Sequence, residues 1–183
     1  MSVAGSPLRI VLIGPECTGK TWLERELARR YHVPWSEEYA RLFVEAHPRP
    51  VVFEDVDAIG RGQMGLEDDA ATQARLSGAR MVIHDTDLVS TVVYSLHYYG
   101  GCPAWIEPAA RARRGDLYLL HRADVPWASD GYQRAEPERR AELFERFRAM
   151  LTTLGVAFAP IAGDWDSRQR AAVEAIEGLV GRQ

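Results

Sequence analysis

The sequence predicts an α/β protein built on a mainly parallel, five-stranded sheet with helices on both faces. Three observations predict it. Short apolar runs alternate with segments of helical period along the whole chain. The first such run, Leu8–Ile13, stops at a glycine and reads as a strand buried on both faces. The chain has 183 residues, of which 46% are hydrophobic, enough for one core and the length of one domain spanning residues 1–183.

The elements follow in order. After Leu8–Ile13, residues Lys20–Tyr31 read as a helix, with Leu23, Leu27 and Tyr31 four apart on one face. Val33–Ser36 is a short second strand. Glu38–Ala46 is a helix ended by Pro48 and Pro50. Phe53–Leu76 is mostly helical, with glycines placed to break it. Arg80–His84 is a third strand, rich in Val and Ile, followed by a helix over Asp87–Tyr98. Asp116–His121 is a fourth strand. Residues 123–136 are polar and without period, and read as a mobile lid loop. Pro137 opens a helix whose buried stripe is Leu143, Phe147, Met150, Leu151 and Leu154. Val156–Ile161 is the fifth strand and Ser167–Val180 the last helix.

Bulk composition excludes several classes. The net charge of -4 argues against general nucleic-acid or membrane-surface binding. Cys17 and Cys102 are too few for a disulfide framework and lack metal-ligand spacing, which suits a reduced cytoplasm. The apolar run near the N-terminus is too short for a membrane span or a signal peptide. The five histidines show no metal-ligand spacing. Among 22 basic residues there is a single lysine, Lys20.

That lysine completes the pattern G-x-x-x-x-G-K-[ST], with Gly14, Gly19, Lys20 and Thr21 between the first strand and first helix. The glycines let the backbone curl so that several N–H groups meet one anion, and the helix adds its positive end. The nucleotide-binding set is therefore Gly14, Pro15, Glu16, Cys17, Thr18, Gly19, Lys20, Thr21 and the adjoining Trp22. Lys20 reaches the β and γ phosphates of ATP, and the Thr21 hydroxyl suits Mg²⁺. A guanine-specifying N-K-x-D motif is impossible, because the only lysine is already used. Large motor and AAA-type ATPases need more chain and an added helical domain. A compact domain with a polar loop before its penultimate helix fits a small-molecule kinase.

Further blocks sharpen this. Glu38-Tyr39-Ala40-Arg41, then Asp85-Thr86-Asp87 leading to Tyr98 and Gly100, then Trp127 with Asp130-Gly131 fall in order. From Leu8 to Val180 the chain resembles the ribosylnicotinamide kinase domain of NadR-type NAD-biosynthesis proteins. The resemblance implies ATP- and Mg²⁺-dependent phosphorylation of the 5′-hydroxyl of ribosylnicotinamide, giving nicotinamide mononucleotide. Other nucleosides, a vitamin alcohol, or a regulatory ATPase with no acceptor are the alternatives. The expected partner is a nucleoside-like small molecule, and no sign of oligomeric state is legible.

The acceptor side rests on carboxylates after two strands. Glu38 is preferred over Glu37 as proton acceptor or sugar contact, against the plainer role of an acid at a helix start. Asp85 stands where a Mg²⁺-binding carboxylate belongs, and Asp87 is either a substrate or catalytic acid or a helix cap. Either aspartate can meet the ribose or act as base. Tyr39 is placed to stack on a base, and Arg41, one turn after Glu38, to hold a substrate oxygen. Arg122 and Arg134 flank or lie within the lid loop and suit the transferring phosphate, although Gln133 stands where the family usually has arginine. Trp35, Tyr98 and Trp105 are expected in the core.

Overall fold

The computed structural model describes residues 6–126 and 139–182. Five strands form one all-parallel sheet in the order β2-β3-β1-β4-β5. They are β1 Leu8–Ile13, β2 Trp35–Ser36, β3 Met81–Asp85, β4 Leu117–His121 and β5 Phe158–Ile161. Every residue of β3 and β4 is buried, so the sheet needs cover on both faces.

Alternation along the strands divides the core in two. Val11, Ile13, Tyr118 and Leu120 pack on one face against α4 (Leu88–Tyr99), α5 (Ile106–Ala112) and α6 (Arg139–Leu154). Ile10, Leu12, Ile83 and Leu119 pack on the other, against α1 (Lys20–Tyr31) and α7 (Trp165–Val180). Two further helices, α2 (Tyr39–Ala46) and α3 (Val56–Ser77), lie at the β2 end.

Several boundaries differ from the sequence expectation. The second strand contracts to two residues paired with Ile83 and His84. The glycines of α3 do not break it. Gly62 is instead the seat of the Tyr39 ring, which a Cβ there would overlap, and a Cβ at Gly60 would lie 3.1 Å from Ile106. Helix α5 has no counterpart in the expectation, because it is short and buries only Ile106 and Ala110. Its Pro108 falls in the first turn, where a missing N–H costs nothing. Most of the 123–136 lid loop, together with Pro137, lies outside the described residues.

In an open parallel sheet, ligands bind beyond the carboxyl ends of the strands. Here β1, β3 and β4 end side by side at Ile13, Asp85 and His121. No helix among the described residues is long and apolar enough to cross a membrane.

Candidate active site

The loop after β1 is held in its curl by contacts that turn its carbonyls into the protein. Gly14 sits at φ +133°, and a Cβ there would come within 2.7 Å of the His121 carbonyl oxygen. Cys17 (φ 53°) and Gly19 (φ 80°) are left-handed, the geometry that aims successive N–H groups at one point. Lys20 Nζ donates to the carbonyls of Gly14 (3.1 Å) and Pro15 (2.9 Å), and Tyr94 Oη donates to Gly14 (3.1 Å). Thr18 Oγ1 donates to Pro15 O at 2.9 Å, and Arg140 donates to Cys17 O at 3.3 Å. His121 Nδ1 and Arg168 Nη1 both meet Thr18 O, at 3.1 and 3.3 Å. Burial first, and Lys20 next, pull the His121 ring down to about 3, so it is a neutral donor there. With the carbonyls occupied, the N–H groups and the start of α1 are left for an anion. The resulting pocket, about 210 Å³, is lined by Glu16 through Thr21 together with Glu38 and Arg41.

The D-T-D turn after β3 separates its two acids. Thr86 adopts φ 71°, unusual for a β-branched residue and a mark of a functional turn. Its N–H is fixed to Leu12 O at 3.0 Å and its carbonyl accepts from Gln63 at 3.3 Å. Asp85 faces the phosphate loop, where its Oδ2 accepts the Thr21 hydroxyl at 2.6 Å. Its Oδ1 is buried without a hydrogen-bond partner among the described residues. A hydroxyl and an orphan carboxylate oxygen beside a phosphate pocket are a donor set that fits Mg²⁺, whose other ligands are phosphate oxygens and water. Glu24, one turn further along α1, is fully buried, and burial first and Asp85 second push its carboxyl up to about 10.

Asp87 has different partners and takes the capping place that is the alternative to a catalytic or substrate role. It caps α4, accepting from the amides of Val89 (2.9 Å) and Ser90 (3.4 Å), while Oδ2 takes the Tyr118 hydroxyl at 2.7 Å. Of the D-T-D turn only Thr86 lines the larger of the two pockets; what separates the acids is their partners, Thr21 for Asp85 and the α4 amides with Tyr118 for Asp87. The left-handed Thr86 is the reason: it turns consecutive acids to opposite sides.

A second cavity, about 280 Å³, opens beside the first. Its apolar wall includes Val44, Val51, Val56 and Ile59, and its polar wall Gln63, Ser90 and Thr91. Tyr94 and Tyr98 stand against it with rings parallel and 6.1 Å apart. Three residues line both cavities: Glu16, Glu38 and Arg41. Glu38 occupies the position before α2 but makes no capping bond, and Arg41 lies 3.9 Å from its Oε2. Burial first and then Asp85 raise the Glu38 carboxyl to about 7, against the pull of Lys20 and Arg41. Glu37, by contrast, reaches outward to Arg25 at 3.6 Å.

Other expected contacts are not brought together. The Tyr39 ring is seated on Gly62 and lines neither cavity, so it does not face the acceptor space. Arg122 is exposed, with its guanidinium over Phe144 at 5.6 Å, and lines neither pocket. Trp22 is half-exposed beside Trp165, ring centroids 5.2 Å apart, and Trp165 covers Gly19. Arg134 lies outside the described residues. Contributors that went unforeseen include Tyr94, Tyr98, Gln63, His121, Arg140 and Arg168. Tyr98 carries a signal, since Ser90, Tyr94 and Tyr98 recur every fourth residue after the D-T-D turn. Arg140 and Arg168 carry none, because both are distant in sequence and the chain is rich in arginine.

Residues 9–168 match a family described as AAA domain. The chain belongs to this AAA-domain family. The chain is 25% identical over 95% of its length to the trifunctional NAD biosynthesis/regulator protein NadR of Salmonella typhimurium, and spans 43% of that relative. Two solved structures share its AAA-domain fold. One is of NadR protein in complex with NR, with TM-score 0.81 and 27% identity over 97% of this chain and 53% of the other. The second is of NadR protein in complex with NAD and AMP-PNP, with TM-score 0.78 and 26% identity over 96% of this chain and 50% of the other.

Proposed function

We propose that the protein is a kinase that moves the γ-phosphate of ATP onto the 5′-hydroxyl of a nucleoside. Ribosylnicotinamide is the favoured acceptor, giving nicotinamide mononucleotide and ADP. The main support is the position of Glu38. It stands where the phosphate pocket and the larger cavity join, a place where a donor phosphate and an acceptor hydroxyl would meet.

The step follows from that arrangement. The loop amides and Lys20 hold the triphosphate tail in line with the acceptor. Glu38 accepts the hydroxyl proton as the hydroxyl oxygen bonds to the γ-phosphorus. The bond from that phosphorus to the β–γ bridging oxygen breaks, and ADP leaves. Thr21 and Asp85 would hold Mg²⁺, which would offset charge on the phosphate oxygens. Arg41 orients the acceptor beside Glu38. Trp22 and Trp165, half-exposed next to Gly19, offer aromatic faces to the adenine.

The NadR relatives support the same chemistry, because solved NadR complexes contain NR in one case and AMP-PNP in another. A screen of ADP release against candidate acceptors tests the reading. ADP formation that requires ribosylnicotinamide supports it, with nicotinamide mononucleotide as the phosphorylated product. Release that requires a different nucleoside or alcohol replaces the acceptor. Release with no acceptor dependence at all overturns the kinase and favours a regulatory ATPase.

A further inference from the structure

We propose that Glu16 selects the acceptor, receiving an unphosphorylated nucleoside and turning away a nucleoside monophosphate. The inference rests on the kinase reading above and assigns a specificity residue within it.

An acid inside an anion-binding loop is a local contradiction. The neighbours of Glu16 offer backbone N–H groups to phosphate, and a carboxylate among them weakens that field. The structure resolves the conflict by directing the side chain across the cleft. Tyr98, on α4, donates its hydroxyl to Glu16 Oε1 at 3.1 Å. The other oxygen, Oε2, is buried with no hydrogen-bond partner among the described residues. Glu16 lines the phosphate pocket and the larger cavity alike, so its side chain lies at their junction.

A buried carboxylate oxygen gains most from a donor. A nucleoside brings hydroxyl donors to it. A monophosphate brings oxygens that mostly carry no proton near neutral pH, and up to two negative charges. The charge balance of the cavity points the same way. Its charged lining is Glu16, Glu38, Glu45 and Arg41, and Arg41 already lies 3.9 Å from Glu38. A phosphate at the 5′ position would stand between Glu16 and Glu38. The consequence is a one-step enzyme, whose product is a poor acceptor for a second transfer and a weak occupant of the cavity.

Calorimetric titration of ribosylnicotinamide and nicotinamide mononucleotide into the full chain, unaltered and as Glu16→Gln, tests this. The unaltered protein is expected to favour the nucleoside. In Glu16→Gln, which keeps the shape and removes the charge, that preference is expected to fall about tenfold, mostly through tighter monophosphate binding. Tyr98→Phe, which releases the pinned carboxylate, is expected to shift the preference in the same direction by less, and carries the comparison if Glu16→Gln does not fold. Nucleoside binding with an unchanged preference in both variants overturns the role of Glu16 and leaves the kinase reading intact. ATP binding with no affinity for either acceptor in any variant overturns both.

Discussion

Between Gly14 and Thr21 the backbone is tied down by side chains from α1, α4, β4, α6 and α7. Across the cleft, α2 has no fully buried residue at all. Its start is held by Gln63, which accepts the Tyr39 amide at 2.9 Å, and by the Tyr39 ring on Gly62. The donor half is therefore over-determined by tertiary contacts, and the acceptor half hangs on a few. The difference teaches where each half is sensitive. Phosphate is the same in every nucleotide and is met by fixed backbone dipoles. The acceptor must enter and leave, and elements that move are drawn from the less tightly packed parts of a fold.

The largest expected effect tests the donor half. Lys20→Ala removes the only ammonium of the loop and the two bonds that hold Gly14 and Pro15. Acceptor-dependent ADP release is expected to fall on the order of 10³-fold. Nucleotide affinity should fall as well, while acceptor affinity, measured by titration without nucleotide, should hold. A parallel loss of acceptor affinity would break the distinction between the halves.

Glu38→Gln comes next, because it strikes the junction. Turnover is expected to fall about 10²-fold, with nucleotide affinity unchanged. The unaltered enzyme should also lose activity as pH falls through about 7, since Glu38 accepts a proton only when ionised. The limb is read from kcat/KM for the acceptor across pH 5 to 8, and it should vanish in the variant. A limb that persists in Glu38→Gln assigns it to another group.

This contrast also explains what the sequence could carry. The phosphate-loop pattern was legible because it lies in consecutive residues whose types follow from the backbone geometry, whereas the distant Arg140 and Arg168 that hold it were not. The parallel sheet was legible from alternation, since strands buried on both faces must be apolar throughout. The acceptor half was legible only in part. Glu38 and Arg41 are neighbours in sequence, and the structure brings both to the junction. For Asp87 the sequence left a site role and a helix cap both open, and its place before α4, after the left-handed Thr86, makes it the cap. Tyr39 matched the resemblance, yet a packing partner 23 residues on, Gly62, takes its ring. Such pairings depend on how α2 and α3 cross, which no local pattern records.

Gly62→Ala is aimed at that crossing. The added Cβ would overlap the Tyr39 ring, so α2 must shift. Overpacking of this kind is expected to cost about 1–3 kcal/mol of stability, seen as a lower thermal midpoint. The acceptor KM should rise while nucleotide affinity stays constant, because the Gln63 and Tyr39 contacts lie on the acceptor side. Equal losses on both sides would mean that the halves are one cooperative unit.

The smallest effect concerns the strap formed by residues 49–55, beside the larger cavity. Val51 lines that cavity, and its carbonyl accepts the Tyr99 hydroxyl at 2.8 Å. The strap is clamped by Arg49, whose guanidinium donates to both Asp55 oxygens at 2.7 and 2.8 Å, while the Val52 amide donates to Asp55 at 2.9 Å. The Arg49 bond, above all, draws Asp55 from its usual 3.8 down to about 2. A depressed folded value means that the clamp stabilises above about pH 4 and is lost as pH falls toward 2. Because Arg49 is half-exposed, Asp55→Asn is expected to cost only about 1 kcal/mol at pH 7. The gap between variant and parent, measured by denaturant unfolding, should close over that acid window. At neutral pH the variant should raise the acceptor KM slightly, since a looser strap leaves Val51 less well placed. Its nucleotide affinity should not move, because Val51 lines the larger cavity and not the phosphate pocket; a change there would show that the rigid half leans on the loose one.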